Sequence, residues 1–340
     1  MSLLDNFWVL LVLKVLIIAL VVPGVSLVII FAELKVSAHM QNRIGPYFAG
    51  GRWGWAQPLA DGLKFMQKED LIPADADRAV FKAAPMVMLM GTIATFVVIP
   101  FSPKLIVADL DIGVFYLLAI GSISSIAVLI AGWASANKYS LMGGLRAAAQ
   151  LVAYELPLVL AVVGVVIQAG TMSMNGIVAA QAEPVFLIGD FAIRLPFLLQ
   201  GQVIGFTIFV IAMLAELSRT PFDLPIAESE LVMGYLTEYS GLRFTMFFLG
   251  EYAGMFSMSA IAATLYLGGW YLPGLSIGAL EFLGPLILMA KVGFLVFLVI
   301  WFRWTFPRLR QDQLQSFAWR WLVPLGLANI LGTGIAKVVF

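Results

Sequence analysis

Several acidic side chains stand in segments where a lipid-facing chain should carry none. Glu155 lies inside an apolar run, two residues before Pro157, whose missing amide leaves a carbonyl one turn earlier without its helical partner. Glu216 closes another apolar run, and Arg219 follows three residues on, sharing its face if the helix continues. The segment from Leu217 to Glu230 and the stretch Thr237-Glu-Tyr-Ser-Gly241 then gather Asp223, Glu228, Glu230 and Glu238 beside that run. Glu251, Lys14 and Lys291 occupy further apolar runs, and Lys14 has no partner assignable from sequence. Charges in hydrocarbon cost several kcal/mol and persist when they face a cavity or a partner. Repulsion within a carboxylate cluster favours proton uptake, which is what a proton relay requires. Two blander readings stand beside this one. The intramembrane charges also suit paired residues that fix helix register. The acidic segment also suits a solvated loop, although such a loop would carry more Lys, Ser and Asn between its acids and less Phe, Leu, Val and Met.

The elements that must hold these residues are membrane helices. The chain is 61% hydrophobic, against about 45–50% in soluble domains. Its apolar runs reach the roughly 20 residues that cross a hydrocarbon core. Runs such as Phe7 to Ala32 lack the alternation of barrel strands, so helices are predicted. The expected fold is all-α: a polytopic membrane protein in one continuous domain, residues 1–340. Eight transmembrane spans are placed near 8–32, 80–101, 112–134, 145–169, 195–216, 247–270, 277–302 and 321–338. The first run is too long for a cleavable signal and lacks a basic leader and a small-residue cleavage site, so it is expected to stay.

Alternate loops differ sharply in charge. One set holds Lys35, Arg43, Arg52, Lys64, Lys68, Arg78, Lys82, Lys138, Arg146, Arg219, Arg243, Arg303, Arg308, Arg310 and Arg320; the other holds Lys104, Arg194 and Lys337. The basic set is expected to be cytoplasmic and both termini periplasmic or outer. Two cytoplasmic connections are long, about 33–79 and 217–245. In the first, Trp55, Leu59, Gly62, Leu63 and Met66 recur at helical spacing while Gln57, Asp61, Lys64 and Lys68 take another face, predicting an amphipathic surface helix. Pro58 suits its first turn.

Absences bound the chemistry. With no cysteine and His39 as the single histidine, the chain has neither the thiolates of an iron–sulphur cluster nor the imidazole pair of a bis-histidine haem. No catalytic triad, phosphate loop or metal-ligand spacing is evident, so no catalytic or metal residue is assigned, and His39 is read as a surface residue. Zero net charge gives no reason to expect nucleic acid. Electrons must be carried by partners.

A series of longer motifs narrows this further: Gln41-Asn-Arg-Ile-Gly-Pro46, Gln57-Pro-Leu-Ala-Asp61, Lys68-Glu-Asp70, the run from Asn137 to Gln150 with Tyr154-Glu155, Ala215-Glu216, Pro221-Phe-Asp-Leu-Pro225, Glu238-Tyr-Ser-Gly241, and Arg303 through Gln313. In order and over nearly the whole chain, they resemble the H subunit of bacterial proton-pumping NADH:quinone oxidoreductase, the membrane component of respiratory complex I where the peripheral and membrane arms meet. The resemblance implies eight spans in the cell inner membrane and a quinone chamber built at the cytoplasmic surface with peripheral-arm subunits. It also implies an acidic path toward the membrane-arm subunits. Quinone is then the substrate, this chain alone holds no cofactor, and flavin and iron–sulphur clusters belong to partners. By the same resemblance Arg43, Asp61, Arg219, Phe222, Asp223, Glu228 and Glu230 line or polarise the quinone passage, and Glu155, Glu216 and Glu238 form the proton path. Two positions depart from the family: Leu34 replaces a usual Arg and Ile226 a usual Glu, so one charge of each sign is lost. Two rival readings are a membrane anchor of a hydrogenase-like relative and a stand-alone ion-coupled transporter working through Glu155 and Glu251.

Overall fold

The computed structural model describes residues 7–184, 186–188, 191–272 and 277–339. It is an all-α membrane protein. Helix α1 (Phe7–Met40) leads into α2 (Gln57–Gln67), α3 (Arg78–Thr95), α4 (Gly113–Ala134), α5 (Lys138–Ala169) and α6 (Met174–Ala182). A two-stranded hairpin follows, β1 (Phe186–Ile188) antiparallel to β2 (Phe191–Ile193). The chain continues through α7 (Val203–Glu216), α8 (Glu228–Leu231), α9 (Gly241–Tyr266), α10 (Ile277–Thr305), α11 (Gln311–Phe317) and α12 (Val323–Val339).

Among the described residues seven helical runs are long and apolar enough to cross a bilayer: α1, α3 with its 3₁₀ extension to Val98, α4, α5, α9, α10 and the continuous stretch Gln311–Val339. The eighth expected span, 195–216, is only a 14-residue apolar helix, α7. Its first part is not helical because Pro196 and a left-handed Gly201 (φ +105°) keep the chain in turns until Val203. At the other extreme, 34 residues make α1 about 51 Å long, well beyond a core of about 30 Å. Helix therefore continues through Glu33 and Ser37, where the sequence suggests a loop. α6 and the hairpin lie between α5 and α7, in a stretch to which the sequence assigns no structure.

Local signals set the helix ends. Asp77 accepts from the amides of Ala79 and Val80 to start α3, and Asn137 accepts from Tyr139 N–H to start α5. α5 stops at Gly170, left-handed at φ +73°. In the bundle α5 packs against α4, α7 and α12, and α9 packs against α1, α3 and α10. Tyr154, Phe209, Met213, Phe256 and Tyr266 belong to the main buried core. A second cluster around Phe81, Tyr235, Tyr239 and Phe247 lies at the basic end, where the Phe81 and Tyr239 rings stack with centroids 4.1 Å apart.

The long 217–240 connection is fixed to α5 by backbone contact. A Cβ on Gly143 would stand 2.6 Å from Gly234 Cα, and one on Gly234 (φ +57°) would stand 1.8 Å from the Pro225 carbonyl oxygen. A side chain at Gly143 would push the loop away from the bundle, and one at Gly234 would force apart two stretches of the loop itself.

Intramembrane lysines are satisfied by carbonyls. Lys14 donates to Val107 O at 2.5 Å, the partner that sequence alone does not supply. Lys291 donates to the carbonyls of Leu267, Gly269 and Tyr271 at 2.7–2.8 Å, neutralising the C-terminal end of α9.

Candidate functional site

At the basic end, α1, α2, the 217–240 connection, α9 and the end of α10 enclose a cavity of about 620 Å³. That lies within the range of about 300–1,000 Å³ typical of small-molecule sites. Leu27 and Ile30 of α1, Phe65 of α2, and Phe244, Phe248 and Leu249 of α9 supply an apolar wall. Glu33, Arg43, Asp61, Arg219, Asp223, Glu228, Glu251, Arg303 and Arg308 supply the polar groups.

α2 is amphipathic in the sense expected. Pro58, Asp61, Gly62, Lys64 and Phe65 border the cavity, whereas Leu59, Leu63 and Met66 point outward and are exposed. Asp61 accepts from Gln57 Nε2 at 3.1 Å and lies 3.5 Å from Lys64 Nζ. Arg43 follows the left-handed Asn42, and its Nε donates to Gln41 Oε1 at 2.6 Å.

The deepest polar group is Arg219. One of its terminal nitrogens donates to both carboxylate oxygens of Glu33, at 3.1 and 3.2 Å, and the other lies 3.0 Å from Glu251 Oε1. Its guanidinium rests 4.7 Å from the centre of the Tyr252 ring. Arg303 binds Glu33 from the outer side, so two cations and two carboxylates balance. Burial alone would lower the Arg219 pKa, but Glu251 and Glu33 together outweigh it and hold the guanidinium above its ordinary value. Arg219 therefore stays protonated at the base of the site, within a cluster of balanced charge. Nearer the rim, Arg308 grips Asp223 with Nε and Nη2, at 2.9 and 3.0 Å, and donates to Ser229 Oγ.

Behind this cavity lies a smaller one of about 130 Å³, bounded by α3, α4, α5, α7 and α9. Its lining is mostly apolar, but Glu155, Glu216 and Glu251 face it, with Thr92, Thr95, Ser124, Ser257 and Tyr235. Glu155 accepts a 2.6 Å hydrogen bond from Ser122 Oγ of α4, so the carboxylate beside Pro157 is held across a helix interface. Polar lining of this kind has room for several waters. Gln150, fully buried on α5, donates to the carbonyls of Ala215 and Phe222 and so ties the end of α7 to the loop that follows.

Of the residues singled out for the quinone passage, Arg43, Asp61, Arg219, Asp223 and Glu228 share the larger cavity. Phe222 does not border it: the ring is buried edge-on against Tyr154, with centroids 5.1 Å apart. Glu230 turns outward to Arg146 at 2.6 Å. Of the three acids assigned to a proton path, Glu155 and Glu216 share the inner cavity, while Glu238 accepts from Asn137 Nδ2 at a separate surface cleft. Glu33 escapes a reading of the sequence because it stands at the end of an apolar run and resembles a loop residue. Glu251 is visible as an intramembrane charge, but nothing in the sequence links it to Arg219. His39 is exposed and shares a hydrogen bond with its own helix's Lys35 carbonyl. Both departures from the family motifs, Leu34 and Ile226, border the larger cavity. Among the described residues no His, Asp and Glu group gathers at metal-binding spacing.

The family model for NADH dehydrogenase matches residues 13–334. Over 311 residues, covering 92% of this chain and 89% of the relative, the sequence is 48% identical to the H subunit of NADH-quinone oxidoreductase from Bacillus mycoides (strain KBAB4). The chain belongs to this H-subunit family. Relatives of the same name in Bacillus cereus (strain B4264) and Bacillus thuringiensis (strain Al Hakam) are 47% identical over the same coverage. Membership makes the chain a membrane component of complex I, a multi-subunit oxidoreductase. Some of the motifs that carry the resemblance in sequence contribute to the two cavities, through Pro58 and Asp61 in α2, Glu155 in α5, Glu216 in α7 and Asp223 in the connection beyond it.

Proposed function

We propose that this chain forms the membrane side of a quinone chamber and couples quinone reduction to proton translocation through its buried carboxylates. The observation that carries the reading is a pair of adjoining cavities, one mixed apolar and charged at the basic end and one acidic inside the bundle, with Glu251 facing both. A quinone with an isoprenoid tail must leave lipid to be reduced, and the apolar wall of α1, α2 and α9 suits the tail while the charged base suits the head group. Arg43, Asp61, Arg219, Asp223 and Glu228 are the groups assigned to the head-group end, with Phe222 and Glu230 supporting them from behind and outside.

Adding two electrons to the quinone creates negative charge beside Arg219 and draws protons from neighbouring acids. The balance between Arg219, Glu33 and Glu251 then shifts, and Glu251, Glu216 and Glu155 pass the change inward as proton movement. Glu238, outside this line, would act at the peripheral surface. Flavin and iron–sulphur clusters that deliver the electrons belong in this scheme to peripheral-arm subunits seated on the basic end, and the acidic cavity opens toward membrane-arm subunits. Basic loops in the cytoplasm, both termini on the outer side and an inner-membrane location follow from the loop charges.

The test is Glu216→Gln and Glu155→Gln in membrane vesicles that retain the assembled complex. Pumping per quinone reduced should fall while the complex still assembles. Full coupled activity in both variants would remove these acids from the mechanism.

A further inference from the structure

On the outside of the bundle, α7, α10 and the helix that runs from Gln311 to Val339 form a groove of about 900 Å³ that shares no lining residue with either cavity. Its two ends differ. Asn329 meets Gln202 at the start of α7, so the stretch from Asn329 back to Trp321, about 12 Å long, ends near the level of Leu214. From Leu214 to Phe206 the wall is apolar, with Val210 between them and Leu298 of α10 opposite. Toward the basic end Asp312, Gln313 and Ser316 join the lining. Trp319, Arg320 and Trp321 stand exposed at the changeover, in a π-helical turn spanning Ala318–Leu322, and Trp321 borders the groove. Tryptophan and arginine gather where hydrocarbon meets headgroups. Lys337 lies about 25 Å from Arg320 along the same helix, close to the roughly 30 Å of a hydrocarbon core. The arginines nearby are already held: Arg303 by Glu33, Arg308 by Asp223 and Arg310 by Asp312. Among the described residues Arg320 has no such partner.

We propose that this groove binds one anionic phospholipid from the leaflet at the basic end, with its phosphate on the Arg320 guanidinium and an acyl chain lying between α7 and α10. A groove that is greasy along one half and ends beside a lone cation matches a molecule with a hydrocarbon chain and a negative head. Basic pockets between membrane helices hold such head groups. Arginine suits phosphate through its planar fork of donors. A zwitterionic head would bring an ammonium group as well, and the one carboxylate in the groove lining, Asp312, is taken by Arg310. The head is therefore anionic. A partner helix seated here would leave Arg320 without a counter-charge unless it supplied a carboxylate of its own. Pro221 and Phe222 form part of the wall, so the lipid backs the segment whose next residue, Asp223, faces the chamber. Neither the site nor its test depends on the chamber reading.

The experiment reconstitutes the assembled complex with phosphatidylglycerol or phosphatidylcholine carrying a photoactivatable diazirine on one acyl chain, and locates the labelled peptides of this subunit by mass spectrometry. Phosphatidylglycerol should label residues 206–214 and 298–302 about five-fold more than phosphatidylcholine, the factor for one arginine at an anionic head. Arg320→Gln should bring the two lipids level, and Arg320→Lys, which keeps the charge, should retain the preference. Equal labelling by both lipids in wild type overturns the proposal, as does a Gln variant that keeps the preference. Absence of label from both segments also overturns it, since the groove would then be covered by another subunit. If the Gln variant does not assemble, Val210→Phe narrows the groove with Arg320 in place. Labelling by phosphatidylglycerol should then fall, and unchanged labelling overturns the site.

Discussion

Arg219 and Glu33 are 186 positions apart, yet a single guanidinium nitrogen lies within hydrogen-bond distance of both oxygens of the carboxylate, at 3.1 and 3.2 Å. Both side chains are buried. The contact joins α1 to the loop after α7, and through Glu251 and Arg303 it reaches α9 and α10. Four elements thus meet at one neutral cluster.

Removing the central cation should therefore be costly. Arg219→Ala leaves Glu251 without its cation inside the bundle, and breaking a buried pair on one side costs about 3–5 kcal/mol. Thermal unfolding in detergent should show the loss. Glu33→Gln should cost less, because Arg303 is 40% exposed and can be rehydrated. Equal stability of Arg219→Ala and wild type would mean that the cluster is open to water.

The charge state of this cluster sets its behaviour with pH. Because the folded pKa of Arg219 is raised, its stabilising contribution is complete below the pKa of the unfolded chain and is lost only as pH climbs through the still higher folded value. Unfolding midpoints of wild type and Arg219→Met should consequently keep a constant separation between about pH 7 and 10. A separation that narrows as pH rises through that window would show Arg219 losing its proton.

Asp223 offers a test of the chamber rim. Arg308 holds both of its oxygens, so Asp223→Asn loses charge while keeping shape. The expected result is a several-fold rise in the KM for quinone with little change in unfolding temperature, measured in reconstituted complex. Unchanged KM would place the head group elsewhere.

The outward face of α2 separates tail from head. Leu63→Lys with Met66→Lys puts charge on an exposed apolar face that lies away from the polar cavity. Turnover of a long-tailed quinone should fall, and that of a short-chain, water-soluble analogue should hold. Parallel losses with both substrates would argue that α2 acts on the head group instead.

Gly143→Ala examines the docking of the acidic connection. Its new Cβ would meet Gly234 Cα at 2.6 Å, and overpacking of this kind costs about 1–3 kcal/mol. Limited proteolysis should cut faster within 217–240. Wild-type protection would mean that the backbone yields without cost.

Much of this architecture is legible from composition, because lipid forces backbone pairing within each segment and so makes apolar runs helices. Glu155 and Glu216 are legible for the same reason: a carboxylate in an apolar run stands out. Their partners are not. Arg308 and Asp223 are 85 residues apart, and Glu33 and Arg303 are 270 apart, distances over which sequence periodicity carries no signal. Phe222 and Glu230 are grouped with the chamber by the family resemblance, which carries the motif as a whole and not the direction of each side chain. A tight connection sends neighbouring side chains to opposite sides, so Phe222 packs inward on Tyr154 and Glu230 faces Arg146. α7 is short because Pro196 and Gly201 interrupt the run, whereas hydropathy alone makes it a full span.

α1 is fastened toward one end by Lys14 to the Val107 carbonyl and toward the other by Glu33 and by Ser37, whose hydroxyl accepts from the Trp304 indole at 2.7 Å. Midway stand Pro23, which omits a hydrogen bond, and Gly24, where a methyl would meet nothing within 4 Å. The notch is braced from the side: Ser26, fully buried just beyond it, donates to the Leu249 carbonyl of α9. Leu27 and Ile30 sit just past that point, on the wall of the larger cavity. The longest helix is thus held by its neighbour at the very turn where its own backbone lacks a bond, and the wall keeps its shape where it would otherwise give first.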